Sequence, residues 1–262
     1  MWEKLFGKPS KPAAEQPPAE PVPPPPAAEE HPAERAMRDA IAAKRHEDPL
    51  VGAKVASNIL FQGLMGTLKQ EGRGVHMETA LVVVGSLAGY ACQAGVLRER
   101  RQVDPAAMPF HVATTTDGHI LYYGDELNAP LAETQYSVWS LCAGTAQQLG
   151  AQIPNVSEIF THVSTVAGTP EFGVPRYPGE GRAGDLPVNY LRVFWPKVFP
   201  ALEKYCDKPT HWPVALGLVA QQLIEAGREV VDPTSAVRII MECAIPMSKL
   251  DSRQVFAEPP QP

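Results

Sequence analysis

A mainly α-helical, compact multi-helix domain with one β-hairpin is predicted by three features of this sequence. Apolar residues recur at helical spacing through most of residues 50–250. Gly, Asn and Asp-Pro signals cut that pattern into helix-length pieces, and residues 110–124 alone switch to strand chemistry. Of the 262 residues, 44% are hydrophobic and 20% charged, the balance of an ordinary globular protein.

The chain opens differently. Residues 9–32 hold ten of the 28 prolines, set mainly among Ala and Glu. Such a segment buries too little apolar surface to offset its ordering entropy, so residues 9–36 are expected to be a disordered Pro/Ala/Glu-rich linker of polyproline II character. Pro9-Ser10-Lys11-Pro12 and Pro23 to Pro26 match SH3-type ligands, as a proline-rich spacer does by composition alone. Residues 1–8 carry Trp2, Leu5 and Phe6 at i, i+3 and i+4, one face of a helix. A stretch shorter than about 12–15 residues does not hold a helix by itself. It is therefore read as a short amphipathic docking peptide that orders against another protein or a membrane surface. Met1 to Lys8 lacks the apolar core of a secretory signal, and Glu15, Glu20, Glu29, Glu30 and Glu34 run against a mitochondrial transit peptide, so a cytoplasmic location is expected.

The helical domain is placed at 37–250. Val51, Val55, Ile59, Leu60, Leu64 and Leu68 form the stripe of a first helix, stopped by Gly72 and Gly74. From Thr79 to Leu97 no residue is charged; Gly85 and Gly89 stand four apart, and Arg98, Arg100 and Arg101 follow. By length and composition this is a membrane span with a small-residue face and a positive flank. As the one such stretch among amphipathic helices, it is expected to be a central helix enclosed by the others. His111 to Thr116, Asp117-Gly118 and His119 to Tyr123 predict a hairpin with a type I′ turn.

Residues 133–149 carry Tyr136, Trp139, Cys142, Ala143 and Ala146 at helical spacing, and Gly150 ends them. Asn155 with Glu158 reads as a capping box opening a helix to Ala167, which Gly168 closes. From Leu186 to Tyr205, Pro196 and Pro200 predict two short helices or one kinked helix. Thr210 is placed as the cap of a helix through Ala226. Asp232-Pro233 starts a last helix that buries Val237, Ile240, Cys243 and Ala244, pairs Arg238 with Glu242, and ends at Pro246. Residues 251–262 are expected to be a disordered tail. Ala146-Gln147-Gln148-Leu149 recurs as Ala220-Gln221-Gln222-Leu223, too short a match to establish a repeat.

Chemistry is bounded mostly by exclusion. A net charge of -6 gives no basic field for nucleic acid, so no nucleic-acid partner is expected. Cys92, Cys142, Cys206 and Cys243 match no zinc or redox spacing, and three of them sit in apolar helical patterns as buried thiols. Nucleophile-elbow, P-loop, zincin and dinucleotide motifs are absent, and no cofactor is expected. His111, Asp117 and His119 at the hairpin read as ordinary strand and turn residues, so no metal is expected. His76 and Glu78 open the central helix, where an acidic first turn suits the helix dipole. His162, beside Thr161 and Ser164, reads as a boundary group before a base.

The candidate site is a loop. Residues 169–187 contain four prolines and four glycines, with Phe172, Arg176, Tyr177, Glu180, Arg182 and Asp185 among them. Long irregular loops inside compact domains are uncommon and are usually either functional or disordered. Arg176 and Arg182 suit a carboxylate or phosphate held by forked hydrogen bonds, or equally tie the loop down by pairing with Glu180 and Asp185. The functional expectation is a non-catalytic adaptor or regulatory interaction protein with an N-terminal docking peptide. The alternatives are an enzyme using His162, Arg176 and Asp185 at the loop, and a membrane-associated protein.

Overall fold

The computed structural model describes residues 31–256, apart from Arg73 and Thr116. The chain runs α1 (Pro32–Lys44), α2 (Val51–Leu68), a two-residue pair β1 (Lys69–Gln70) and β2 (Gly74–Val75), then α3 (Met77–Val103). The hairpin β3 (His111–Thr114) and β4 (Ile120–Tyr123) leads into a short α4 (Asp125–Asn128) and a π-helical turn, Ala129–Glu133. Then come α5 (Val138–Gln148), α6 (Val156–Thr165), α7 (Pro187–Tyr205), a 3₁₀ turn Pro209–His211, α8 (Trp212–Gly227), α9 (Pro233–Lys249) and α10 (Ser252–Phe256).

The uncharged stretch forms the axis of the fold. Every residue of α3 from Ala80 to Gln93 is buried, with α7, α8 and α9 packed around it. Its span-like composition therefore has a protein-internal cause: the helix is apolar on all sides because other helices cover all sides. Gly85 and Gly89 let α9 approach to backbone contact. A Cβ on Gly85 would lie 2.6 Å from the Ile240 carbonyl oxygen, and one on Gly89 would lie 2.0 Å from that of Ala244. Gln93, fully buried, donates from Nε2 to the carbonyls of Ser248 and Leu250 at 2.8 and 2.9 Å. It thereby closes the end of α9, whose last carbonyls have no helical donor.

Several boundaries differ from the sequence expectation. The folded body begins before residue 37: the His31 ring accepts from the Ala33 N–H, Pro32 occupies the first turn of α1, and Ile41 is buried. It also extends past 250, because α10 buries Val255. Trp2, Leu5 and Phe6, the linker up to Glu30, and residues 257–262 lie outside the described residues. The first turn of α5 is capped by Ser137, whose Oγ accepts from Ser140 N–H, and Tyr136 stays outside the helix. Thr210 does not cap α8; it sits in the 3₁₀ turn and donates to Glu99. α7 continues through Pro196 and Pro200, which face solvent where water can bond the freed carbonyls, while Leu191, Phe194, Val198 and Leu202 hold the other face. Pro246 does not end α9, because packing carries the helix on to Lys249 and encloses the proline.

The hairpin pairs His111 with Tyr123 through to Thr114 with Ile120. Its turn is not type I′, which needs positive φ at both central residues: Asp117 has none, and Gly118 alone does, at 86°. Hydrogen bonds from Gly118 N to Thr115 O and from Thr115 N to His119 O instead close a three-residue loop with Gly118 at its left-handed position. The two Ala-Gln-Gln-Leu segments meet where α5 packs on α8. Ala146 and Ala220 are buried there, and Gln221 donates to the Leu141 carbonyl, so small and amide residues recur for packing.

The contact between α3 and α9 has a measurable consequence. Gly89→Val is expected to cost at least about 3 kcal/mol, since neither backbone can yield alone. Gly66→Ala in α2, where a Cβ meets nothing within 4 Å, is expected to stabilise by about 0.5–1 kcal/mol. Chemical denaturation of the two variants measures both effects.

Candidate functional site: an apolar cleft beside the long loop

The loop between α6 and α7 is fixed from inside. Arg176 donates to Glu242 from Nε at 2.8 Å, Nη2 at 2.6 Å and its own backbone N–H at 2.5 Å. Its Nη1 reaches Glu158 at 2.7 Å, and Arg238 bridges Glu158 at 3.3 Å and Glu242 at 3.7 Å. The Glu242 side chain is 1% exposed, so this arginine neutralises a carboxylate that water does not reach. The partners are thus Glu242 and Glu158, not the expected Glu180 and Asp185. Asn155 caps α6 as its spacing predicted, accepting from the Ser157 and Glu158 N–H groups. Glu158 does not return the bond, because its carboxylate is taken by the arginines, and the hydrogen bond from Arg176 holds it below the usual carboxylate range.

The other expected site residues do not converge on one point. Tyr177 is half-buried against the core, and burial pushes its pKa up to about 12. Asp185 accepts from Leu186 N–H and from Asn189 Nδ2, both at 2.7 Å, and so secures the start of α7; these bonds, the Asn189 amide first, hold its pKa below the usual carboxylate range. Arg182 is exposed and makes no hydrogen bond or ion pair with a described residue. His162 stands in the last turn of α6, half-buried and one turn beyond Glu158, its side chain without a hydrogen bond to a described residue.

Phe172 does line a cavity. A cleft of about 200 Å³ opens between the hairpin turn, the loop, the first turns of α7 and the segment that ends α9 and forms α10. Leu121, Phe172, Met247, Leu250 and Val255 make its apolar surface, and Val174 and Leu186, 40% and 48% exposed, stand at its rim. The charged loop residues are conspicuous in the sequence, whereas the exposure of Val174 and Leu186 shows only in the fold, because an apolar residue in a loop or at a helix start carries no local mark of burial.

The polar groups around the cleft are largely engaged by the protein itself. Asp117 accepts from the Thr115 hydroxyl and pairs with His119 Nδ1 at 2.9 Å, and the Thr115 bond leads in holding its pKa down. Gln254 accepts from Ile120 N–H, and Arg192 Nε donates to the Val255 carbonyl. Beneath, Leu121 bridges to Leu250 in antiparallel pairing, and buried Asp251 accepts from the Tyr122 hydroxyl at 2.9 Å and from Arg253 Nη2 at 2.6 Å. The hairpin is therefore riveted to the chain that follows α9.

Chemically, the cleft holds no activated nucleophile. Burial pushes up all four thiols, Cys142 and Cys206 to about 12, away from the thiolate that reacts. Among the described residues, no three or more His, Cys, Asp or Glu side chains stand together as a metal site. A volume of about 200 Å³ also falls below the roughly 300–1,000 Å³ of small-molecule pockets and suits one or two inserted side chains. Comparison with protein-family models, curated proteins and solved structures found no match to this chain.

Two expectations follow from the polar framework. Arg176→Ala leaves buried Glu242 with only Arg238 and a backbone N–H and is expected to cost about 3 kcal/mol, whereas Arg182→Ala stays within about 0.5 kcal/mol; thermal unfolding separates them. Asp251 has its pKa depressed below 3.8, first by the Arg253 hydrogen bond and then by the Arg253 N–H and Tyr122, so its contribution is present above that value and lost as pH falls through the folded value. Tyr122→Phe should cost about 1.5–3 kcal/mol at pH 7 and progressively less as pH is lowered through the depressed pKa of Asp251, as denaturation in a series from pH 7 downward reads.

Proposed function

We propose that this chain is a non-catalytic interaction protein whose folded body takes apolar side chains of a partner segment into the cleft between hairpin and loop. Trp2, Leu5 and Phe6 would provide a second attachment, to a protein groove or a membrane surface. The observation that carries the reading lies in the loop: Arg176 and Asp185 are held by the protein itself, while Val174 and Leu186 are exposed at the rim of the cleft. Arg176 donates to Glu242 and Glu158, and Asp185 accepts from Leu186 N–H and Asn189 at the start of α7, while Phe172, Val174 and Leu186 border the cleft. An enzyme at this loop would need those ionisable groups free and converging.

The magnitudes suit a weak, adaptable contact. Burying two aliphatic side chains yields about 3–6 kcal/mol gross, an affinity near the millimolar range before ordering costs. A second attachment through residues 9–30 raises the apparent affinity by making the other event intramolecular. The membrane alternative is supported only through residues 1–8, because the surface of α3 is already covered by protein.

The test uses full-length chain as bait against a lysate of the source cells. Leu186→Asp should retain the wild-type melting temperature and lose the partners that wild type captures, and deletion of residues 1–8 should weaken their capture. Equal capture by wild type and Leu186→Asp would exclude the cleft.

A further inference from the structure

A ladder of five aromatic rings crosses the surface where α3, α7 and α10 meet. Phe256 packs on Tyr90 with centroids 5.4 Å apart, Tyr90 on Trp195 at 4.6 Å, Trp195 on Phe199 at 5.7 Å, and Phe199 on Trp212 at 5.3 Å. Tyr90 and Trp212 are buried, whereas Trp195 and Phe199 are half-exposed. Four of the rings, Tyr90, Trp195, Phe199 and Trp212, line a shallow groove of about 440 Å³ together with Arg98, Arg101 and Ser252 of α10. Arg98 reaches Glu203 at 3.3 Å; Arg101 and both indole N–H groups make no hydrogen bond to a described residue.

Rows of aromatic faces with spare N–H donors match one backbone type in particular. Polyproline II is extended before it binds, its proline rings lose no rotamer entropy when stacked on aromatic faces, and its carbonyls have no internal donors. We propose that this groove is a polyproline II site and that its occupant is this chain's own segment Pro21 to Glu30, bound in cis. Indole N–H groups and Arg101 would donate to its carbonyls, and the arginines would face Glu29 and Glu30.

Three observations favour this occupant. The segment holds Pro23 to Pro26, the longest proline run in the chain, followed by two acidic residues that complement the arginine edge. Its exit is pinned close by: Glu34 in the first turn of α1 pairs with Lys204 of α7, the helix that carries Trp195 and Phe199. The reach is also sufficient. Phe199 and Trp195 lie about 7.5 and 13.5 Å back along α7 from Lys204. Pro23 to Pro26 stand five to eight residues before His31, which caps α1, or about 16–25 Å of extended chain, enough to reach both rings. The proposal is independent of the cleft, and each can fail alone.

Hydroxyl-radical footprinting of the full-length chain at low micromolar concentration tests it. Replacing Pro23, Pro24, Pro25 and Pro26 together by Ser should raise oxidation of Trp195 and Phe199 about fivefold or more, leaving Trp139 unchanged. An effective concentration on the order of 1 mM against a Kd of about 100 µM leaves roughly one groove in ten empty in the wild type. A synthetic peptide of residues 19–30, in excess, should restore protection to the four-serine variant, and Arg101→Glu should reduce protection in the wild-type background. Identical footprints for wild type and the four-serine variant would overturn the proposal. So would exposure that follows deletion of residues 257–262 instead, which assigns the groove to the Pro259-Pro260-Gln261-Pro262 tail. Protection that appears only as chain concentration rises would overturn it too, by assigning the groove to a second copy.

Discussion

The body of this protein rests on one contact, the meeting of the α3 and α9 backbones. Gly85 and Gly89 leave no room between α3 and the carbonyls of Ile240 and Ala244. At that distance the helices exchange dispersion contacts through backbone atoms, which cannot repack as side chains can. With α9 fixed in depth and rotation, the rest of the frame follows. Glu242 faces the loop, where it receives Arg176, and the carbonyls of Ser248 and Leu250 present themselves to Gln93. The site is thus positioned from the core outward.

This arrangement explains why the fold was legible in the sequence and the site much less so. The helical class, the enclosed central helix and the hairpin all show in local pattern, because periodicity, a nineteen-residue uncharged run and β-branched residues around Asp117-Gly118 act over short distances. Caps at Asn155 and Asp232 were readable for the same reason. The stopping rules for proline misled at Pro246, where burial holds the helix together, and the turn type misled because Asp117 is not forced to positive φ when a three-residue loop is open to it.

The site residues depend on partners far away in sequence. Arg176 and Glu242 are 66 positions apart, and nothing near Arg176 identifies Glu242 over the closer Glu180. The loop was recognisable as a place; the direction each side chain takes was not. The same holds for the aromatic ladder, whose members come from α3, α7, α8 and α10. Only Trp195 and Phe199, four apart on one helix, formed a local pair. A surface assembled from distant elements has no periodicity of its own.

The cleft draws on residues 115–121 and on 247–255, so its two halves are made far apart in time on a ribosome. While the hairpin and the loop emerge, Leu121 has nothing beneath it, and the surface closes only when Leu250 pairs with it and Val255 is buried. The cleft is therefore complete only once residues 247–255 have joined the hairpin and the loop. A break within α9 would therefore remove the far side of this cleft together with backbone contacts to α3 that set the body.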